Sequence, residues 1–121
     1  MGNVRSFRDL LAYQSARTLA RLVRDHTRGF PADERYGLTN QVRRAAYSVA
    51  LNIAEGYGIG TTQATLRHLR IARGSLCEVE AGFDLAEDME FPAASEELKD
   101  ALSQTGRLLQ GLIRSLERHI K

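Results

Sequence analysis

Side chains capable of chemistry are concentrated on one line of a predicted helix. The stretch RRAAYSVALNIAEG, residues 43–56, is apolar on two sides and polar on a narrow third. At about 100° per residue its polar side chains share roughly 80° of arc, and two more from a later helix can meet them. The predicted polar network consists of Arg44, Ser48, Asn52, Glu55, Ser75 and Glu78. Buried charges must be paired and hydrogen-bonded, so we expect these side chains to contact one another.

Two roles for this predicted network remain open. It could fix the register of neighbouring helices, as buried polar groups do in some helical proteins. It could instead be an acid/base group in which Glu55 and Glu78 act on a small molecule. We favour the structural role, because no nucleophile or set of metal ligands accompanies these residues. We therefore predict no catalytic residue and no enzymatic activity.

Motifs for cofactors and metals are not found in the sequence. The GYGIG segment, residues 56–60, precedes a helix but does not match GxGxxG and lacks the lysine of a phosphate-binding loop. A di-metal carboxylate bundle needs Glu-x-x-His pairs, and the sequence has none. His26, His68 and His119 are scattered along the chain. The sequence predicts no metal, no cofactor and no small-molecule substrate.

Two rows of arginine are candidates for binding nucleic acid. The first, which we call the arginine stripe, repeats at spacings of 4, 3 and 4 on one helix face; the second is a looser patch on a later helix. Both could contact phosphates along a nucleic-acid backbone. Aromatic side chains are not interleaved with them, so sequence-specific recognition is not expected. The stripe is Arg17, Arg21, Arg24 and Arg28, and the patch is Arg67, Arg70 and Arg73.

Ion pairing is the alternative role for these arginines. The later helix also carries an acidic row at Glu80, Asp84, Glu87 and Asp88. Residues 1–73 contain 12 Lys/Arg and 5 Asp/Glu, whereas residues 74–121 contain 5 and 10, although the whole chain has a net charge of only +2. Pairing of the stripe with the acidic row, within or between subunits, would account for this uneven distribution. We favour ion pairing and keep RNA as the alternative partner.

Four amphipathic segments predict four helices in one domain spanning residues 1–121. Ser6 and Asp9 form a predicted capping box, and Ser95 is a predicted N-cap. No segment shows the alternation of a β-strand. The helices are predicted over Ser6–Arg28, from Asp33 or Glu34 to Gly56, from Thr61 or Thr62 to Met89, and from Ser95 to His119. Long helices joined by short connections favour an all-α, up-down-up-down four-helix bundle.

The second helix is predicted to be covered by another subunit. A bundle of four helices does not bury both sides of one of its own helices, and a helix that is apolar nearly all round is a buried helix. The second apolar side comprises Tyr47, Ala50, Leu51 and Ala54, our candidates for an oligomer interface. Gly74 and Gly82, inside the third helix, favour close approach of a neighbouring helix, and simple tolerance of glycine is the alternative. No run approaches the roughly 18 apolar residues of a membrane span, and a single cysteine favours a reducing, cytoplasmic location.

Two stretches of the chain resemble a known family. FPADERYGLTNQVRRAAYSVALNIAEGYG, followed by LRIARGSLCEVE, is similar to the four-helix bundle family of 23S rRNA-intervening-sequence proteins. The resemblance implies a cytosolic bacterial bundle that forms a ring-like homo-oligomer, commonly a pentamer, with no established enzymatic activity. Some members are encoded inside insertions in the large ribosomal RNA gene, which has suggested RNA binding.

The sequence departs from the family pattern at two positions. Ile59-Gly60 stands where a basic residue is frequent, which weakens a phosphate-binding role for residues 56–60. Ala50 stands where proline is frequent, so we expect a straighter second helix. Together these observations predict a non-enzymatic, self-assembling bundle with a scaffold or interaction role. An RNA-binding protein that uses the arginine rows is the alternative.

Overall fold

Four long α-helices make up most of the structure. The computed structural model describes residues 6–119. Within this range the helices are α1 (Leu11–Thr27), α2 (Leu38–Ile59), α3 (Thr62–Asp88) and α4 (Glu96–His119), and short 3-10 turns at Phe7–Asp9 and Ala32–Glu34 precede α1 and α2. No strand is formed by these residues. The all-α class predicted from the sequence is confirmed.

The helices pack in chain order around one apolar core. α2 contacts α1 and α3, and α4 contacts α3 and α1, so α1 and α3 lie diagonally across the bundle. α2 and α3 are antiparallel, since Ser48 lies opposite Ser75 and Asn52 lies opposite His68. The interior is filled by aliphatic side chains such as Leu19, Val49, Leu69, Leu109 and Ile113, all fully buried.

The start of the first helix differs from its prediction. The capping box at Ser6 and Asp9 is present, but it caps the 3-10 turn and not α1. Leu10 then takes an extended conformation with φ −73° and ψ 128°, so α1 begins one residue later. Leu11, the first residue of α1, is 65% exposed.

Both ends of α2 also differ from their predictions. Asp33 and Glu34 lie in a 3-10 turn, and Gly37, with φ −106° and ψ −116°, separates that turn from α2. The Glu34 carboxylate accepts a hydrogen bond from the Leu38 backbone N–H at 2.9 Å, so it stabilises the helix start from outside. At the other end α2 continues through Gly56 and stops at Gly60, which has φ 92°.

The predicted boundaries of α3 and α4 agree closely with the structure. Thr61 caps α3 through a hydrogen bond from the Ala64 N–H, and Ser95 accepts one from the Leu98 N–H. α3 ends in a Schellman motif in which Glu90 has φ 62° and the Phe91 N–H donates to the Ala86 carbonyl at 2.9 Å. These caps fix the length of α3, which carries both the acidic row and the arginine patch, and the start of α4.

Candidate functional surfaces

Four side chains form a hydrogen-bonded network in the seam between α2 and α3. Ser48 Oγ lies 2.8 Å from Ser75 Oγ. The Asn52 side-chain nitrogen donates to Ser48 Oγ at 2.9 Å and to the Ser48 carbonyl at 3.0 Å. His68 Nδ1 lies 2.9 Å from Asn52 Oδ1. We call these four half-buried residues the seam network.

His68 is the member that sequence reasoning missed. Because the Asn52 nitrogen donates to Ser48, the Asn52 oxygen faces the imidazole, and we assign the proton to His68 Nδ1 on that basis. Glu55 Oε2 lies 3.7 Å from the same ring nitrogen. The His68 side chain is 14% exposed and that of Glu55 is 64% exposed, so Glu55 occupies the solvent rim of the network.

The structure corrects the predicted network at two of its six positions. Arg44 and Glu78 are exposed, and their side chains make no hydrogen bond or ion pair within residues 6–119. Residues four apart in an α-helix are displaced from each other by about 40° around the helix axis. The polar line of α2 therefore meets α3 at Ser48 and Asn52 but faces solvent one step earlier, at Arg44. Glu78 is turned outward for the same reason, since it lies about 60° round α3 from Ser75.

The two carboxylates considered as an acid/base pair lie apart. Ser48 is level with Ser75 and the helices are antiparallel, so Glu78 is level with the start of the polar line, near Arg44. Glu55 lies about ten residues farther along α2, which corresponds to roughly 15 Å along the helix axis. The structure therefore does not bring Glu55 and Glu78 together.

The bonding pattern of the seam network suits a structural role. A serine nucleophile is activated by a base hydrogen-bonded to its hydroxyl, whereas the partners of Ser48 are a hydroxyl and an amide. Asn52 stands between Ser48 and the imidazole of His68. Across residues 6–119 no three His, Cys, Asp or Glu side chains are grouped so that they could hold a metal ion. The network sets which residues of α2 and α3 lie opposite each other.

The arginine stripe lies on the outer surface of α1. All four of its side chains are exposed. Arg28 pairs with Asp25 at 3.6 Å, and the Arg17 guanidinium lies 5.9 Å from the centre of the Tyr13 ring. Within residues 6–119, no acidic side chain pairs with Arg17, Arg21 or Arg24. Three of the four guanidinium groups are therefore available to an anionic partner.

The arginine patch on α3 is largely engaged within the chain. Arg70 forms an ion pair with Glu117 of α4 at 2.9 Å, and Arg73 donates to Gln110 of α4 at 3.1 Å. Arg67 is exposed. The two arginine rows thus differ, because the patch joins α3 to α4 whereas most of the stripe has no acidic partner among the described residues.

Comparison with known proteins establishes the family of the chain. The model of the 23S rRNA-intervening sequence protein family matches residues 8–111, which include the seam network and the arginine stripe. The chain belongs to this family. No curated protein matches the chain.

The residues predicted to form an oligomer interface differ in accessibility in this family member. Leu51 is 66% exposed, whereas Ala50 is 9% exposed and therefore lies inside its own bundle. Tyr47 and Ala54 are half-buried. The partial burial of Tyr47 follows from its position beside α1. Arg43, one helical turn earlier on the same face of α2, donates a hydrogen bond to Thr27 at the end of α1. α1 covers more of this side of α2 than the sequence predicted, and Leu51 remains the most exposed of the four.

The two positions that depart from the expected family pattern both belong to α2 or to its end. α2 passes through Ala50 as an uninterrupted helix. Residues 56–59 are helical in this family member, so the GYGIG segment is the last turn of α2 and Gly60 is its cap. Among the described residues, no helix is long and apolar enough to cross a membrane.

Proposed function

We propose that this chain is a non-enzymatic, cytoplasmic protein that assembles with copies of itself into a closed ring, most simply a pentamer, and acts as a scaffold or interaction module. The observation that carries the proposal is Leu51, an aliphatic side chain left 66% exposed on the outer ridge of α2. It stands beside Tyr47 and Ala54, which are also partly open to solvent. Burying such a side chain stabilises an interface by about 1.5–3 kcal/mol.

The seam network supports a non-enzymatic role. Its hydroxyls bond to each other and to an amide, and its imidazole bonds to that same amide. These contacts hold α2 and α3 in register, and α2 carries Leu51. In this proposal the polar residues stabilise the surface that another copy recognises.

The mass of the protein in solution tests this proposal. Light scattering coupled to size-exclusion chromatography should give about 68 kDa for a pentamer, five times the 13.5 kDa of one chain. Leu51→Lys should reduce the mass toward that of one chain while circular dichroism shows an unchanged helix content. Leu11→Lys is the matched control, because Leu11 is 65% exposed and lies on α1. A wild-type protein that remains a single chain at high concentration would refute the proposal.

RNA binding is a second candidate function, favoured by the arginine stripe. Arg17, Arg21 and Arg24 are exposed and have no acidic partner within residues 6–119. Three phosphate contacts would make affinity fall roughly twenty- to fortyfold between about 50 and about 200 mM salt. Fluorescence anisotropy with a labelled RNA oligonucleotide measures this slope. Equal affinity at both salt concentrations, or no binding at either, would exclude this second function.

A further inference from the structure

A groove with an acidic rim lies between the second half of α3 and the start of α4. Its volume is about 170 Å3. The rim carries Glu80, Asp84 and Glu87, and the residues that line it are Glu80, Phe83, Asp84, Glu87, Ala93, Ala94, Lys99 and Leu102. We call it the acidic groove. We infer that it is the docking site for the arginine stripe of a second copy of this chain, an inference that rests on the self-assembly proposed above.

The two surfaces match in spacing as well as in charge. Arg17, Arg21 and Arg24 follow one another at intervals of four and three residues, and so do the three carboxylates of the groove. At 1.5 Å per residue, both rows place charges about 6 Å and then about 4.5 Å apart along a helix axis. Three guanidinium groups can therefore meet three carboxylates when two such helices lie side by side.

These two rows do not meet within one chain. α1 and α3 lie diagonally across the bundle with their backbones apart. Their side chains meet where the His26 ring packs against the Phe83 ring at 5.6 Å, and not at the two charged rows. Glu80, Asp84 and Glu87 are exposed and pair with no basic side chain among residues 6–119, as is true of the three arginines. A second copy of the chain supplies the complement for each row.

The composition of the groove also suits arginine. Phe83, which is 8% exposed, and the half-buried Leu102 line it alongside the three carboxylates. Arginine packs its aliphatic stem on apolar surface while its charged end pairs with carboxylates. Lys99 is the one basic residue among those lining the groove, and its ammonium lies 3.7 Å from Glu96. This ion pair reduces the repulsion that an incoming arginine would meet.

Docking of this kind is head-to-tail, and it forms a ring when the rotation between successive copies closes. The stripe and the acidic groove are different surfaces on different helices, so each copy would donate one and accept with the other. Arg43 lies one turn before Tyr47 and contacts α1 through Thr27, which places Tyr47 beside α1. The arginine stripe and the apolar residues of α2 can therefore belong to the same side of the interface.

Charge reversal and its rescue test the inference. The first variant replaces Arg17, Arg21 and Arg24 with Glu, and the second replaces Glu80, Asp84 and Glu87 with Arg. Each should reduce the mass in solution to that of one chain, and the variant carrying all six substitutions should regain the wild-type mass. Arg107→Glu, Arg114→Glu and Arg118→Glu on α4 make a control for the first variant, with the same change in net charge, and this control should remain assembled.

The outcomes separate this inference from the proposed function. If the wild-type protein assembles and both reversals also assemble, the acidic groove is not the docking site although self-assembly stands. If the arginine reversal loses RNA binding but keeps its mass, the stripe is a nucleic-acid surface and the inference is overturned. A variant carrying Glu80→Gln, Asp84→Asn and Glu87→Gln guards against misfolding, because each replacement keeps the shape of the side chain while removing its charge. It should raise the dissociation constant at least tenfold.

Discussion

Gly82 of α3 lies directly against Val42 of α2, so closely that a methyl group added at Gly82 would overlap Val42 Cγ2. The contact falls in the same α2/α3 seam as the network of Ser48 and Ser75. Close approach of the two helix backbones is what allows short side chains such as serine to bond across the seam. Gly74, on the same helix, has no atom within 4 Å of the position of an added methyl group.

Replacing these two glycines by alanine should change stability in opposite directions. Gly82→Ala overpacks the seam at a cost of about 1–3 kcal/mol, which exceeds the gain of about 1 kcal/mol from better helix propensity. Gly74→Ala receives that gain without a clash. Urea unfolding followed by circular dichroism, at one protein concentration, measures both. A Gly82→Ala protein as stable as the wild type would contradict the close packing.

The hydroxyl pair of the seam should behave as a coupled unit. Ser48→Ala or Ser75→Ala alone leaves the other hydroxyl without its partner at 2.8 Å, at a cost of about 1 kcal/mol each. The double variant should lose less than the sum of the two single losses, by about 0.5–1 kcal/mol. A double-mutant cycle in urea gives this coupling free energy. Strictly additive losses would show that the two hydroxyls do not stabilise each other.

The four helices could be predicted because their apolar periodicity is strong, but the ends of α2 could not. Acidic residues at 33 and 34 are typical of a helix start, and the conformation of Gly37 that places them outside α2 has no local signature. Gly56 was predicted to end the helix. In the structure α2 continues past Gly56, which packs directly against Thr65 and His68 of α3. A side chain at this position would overlap them, so glycine is required for close helix packing and does not mark the helix end.

The seam network could be predicted only in part, because the register between two helices is a tertiary property. Ser48 and Asn52 share a line on α2, and that line can be read from the spacing. Which residue of α3 lies opposite Asn52 cannot be read in this way, so the sequence shows His68 only as one of three scattered histidines. Arg44 falls within the same arc as Ser48, and only the direction of α3 shows that it faces solvent.

Tyr57 should make the stability of the protein fall with rising pH in the alkaline range. Burial raises the pKa of its phenol from 10.0 to about 12. Below pH 10 the phenol is neutral in the folded and the unfolded chain alike. Between about pH 10 and about pH 12 the unfolded chain loses this proton while the folded chain keeps it, so unfolding becomes more favourable as pH rises.

Tyr57→Phe removes this contribution and tests its sign. The free energy of unfolding of the wild type should fall more steeply above about pH 10 than that of the variant. Tyr36→Phe is the control, since Tyr36 is 85% exposed and its replacement should leave the wild-type slope unchanged. Identical slopes for the wild type and Tyr57→Phe would show that burial of this phenol has no effect on alkaline stability.

Arg43 and Arg44 are neighbours in sequence with different structural roles, which makes them a matched pair. Arg43 Nε donates to Thr27 Oγ1 at 2.8 Å, and its terminal nitrogen reaches the Arg24 carbonyl at 3.4 Å, so a cation sits at the C-terminal end of α1. Arg43→Met should cost about 1–2 kcal/mol through loss of this charged hydrogen bond and of the favourable helix-dipole interaction. Arg44→Met, on an exposed side chain, should stay within about 0.5 kcal/mol of the wild type in the same urea titration. Equal losses for the two variants would mean that Arg43 does not stabilise the end of α1, and that α1 and α2 are held together by their apolar contacts alone.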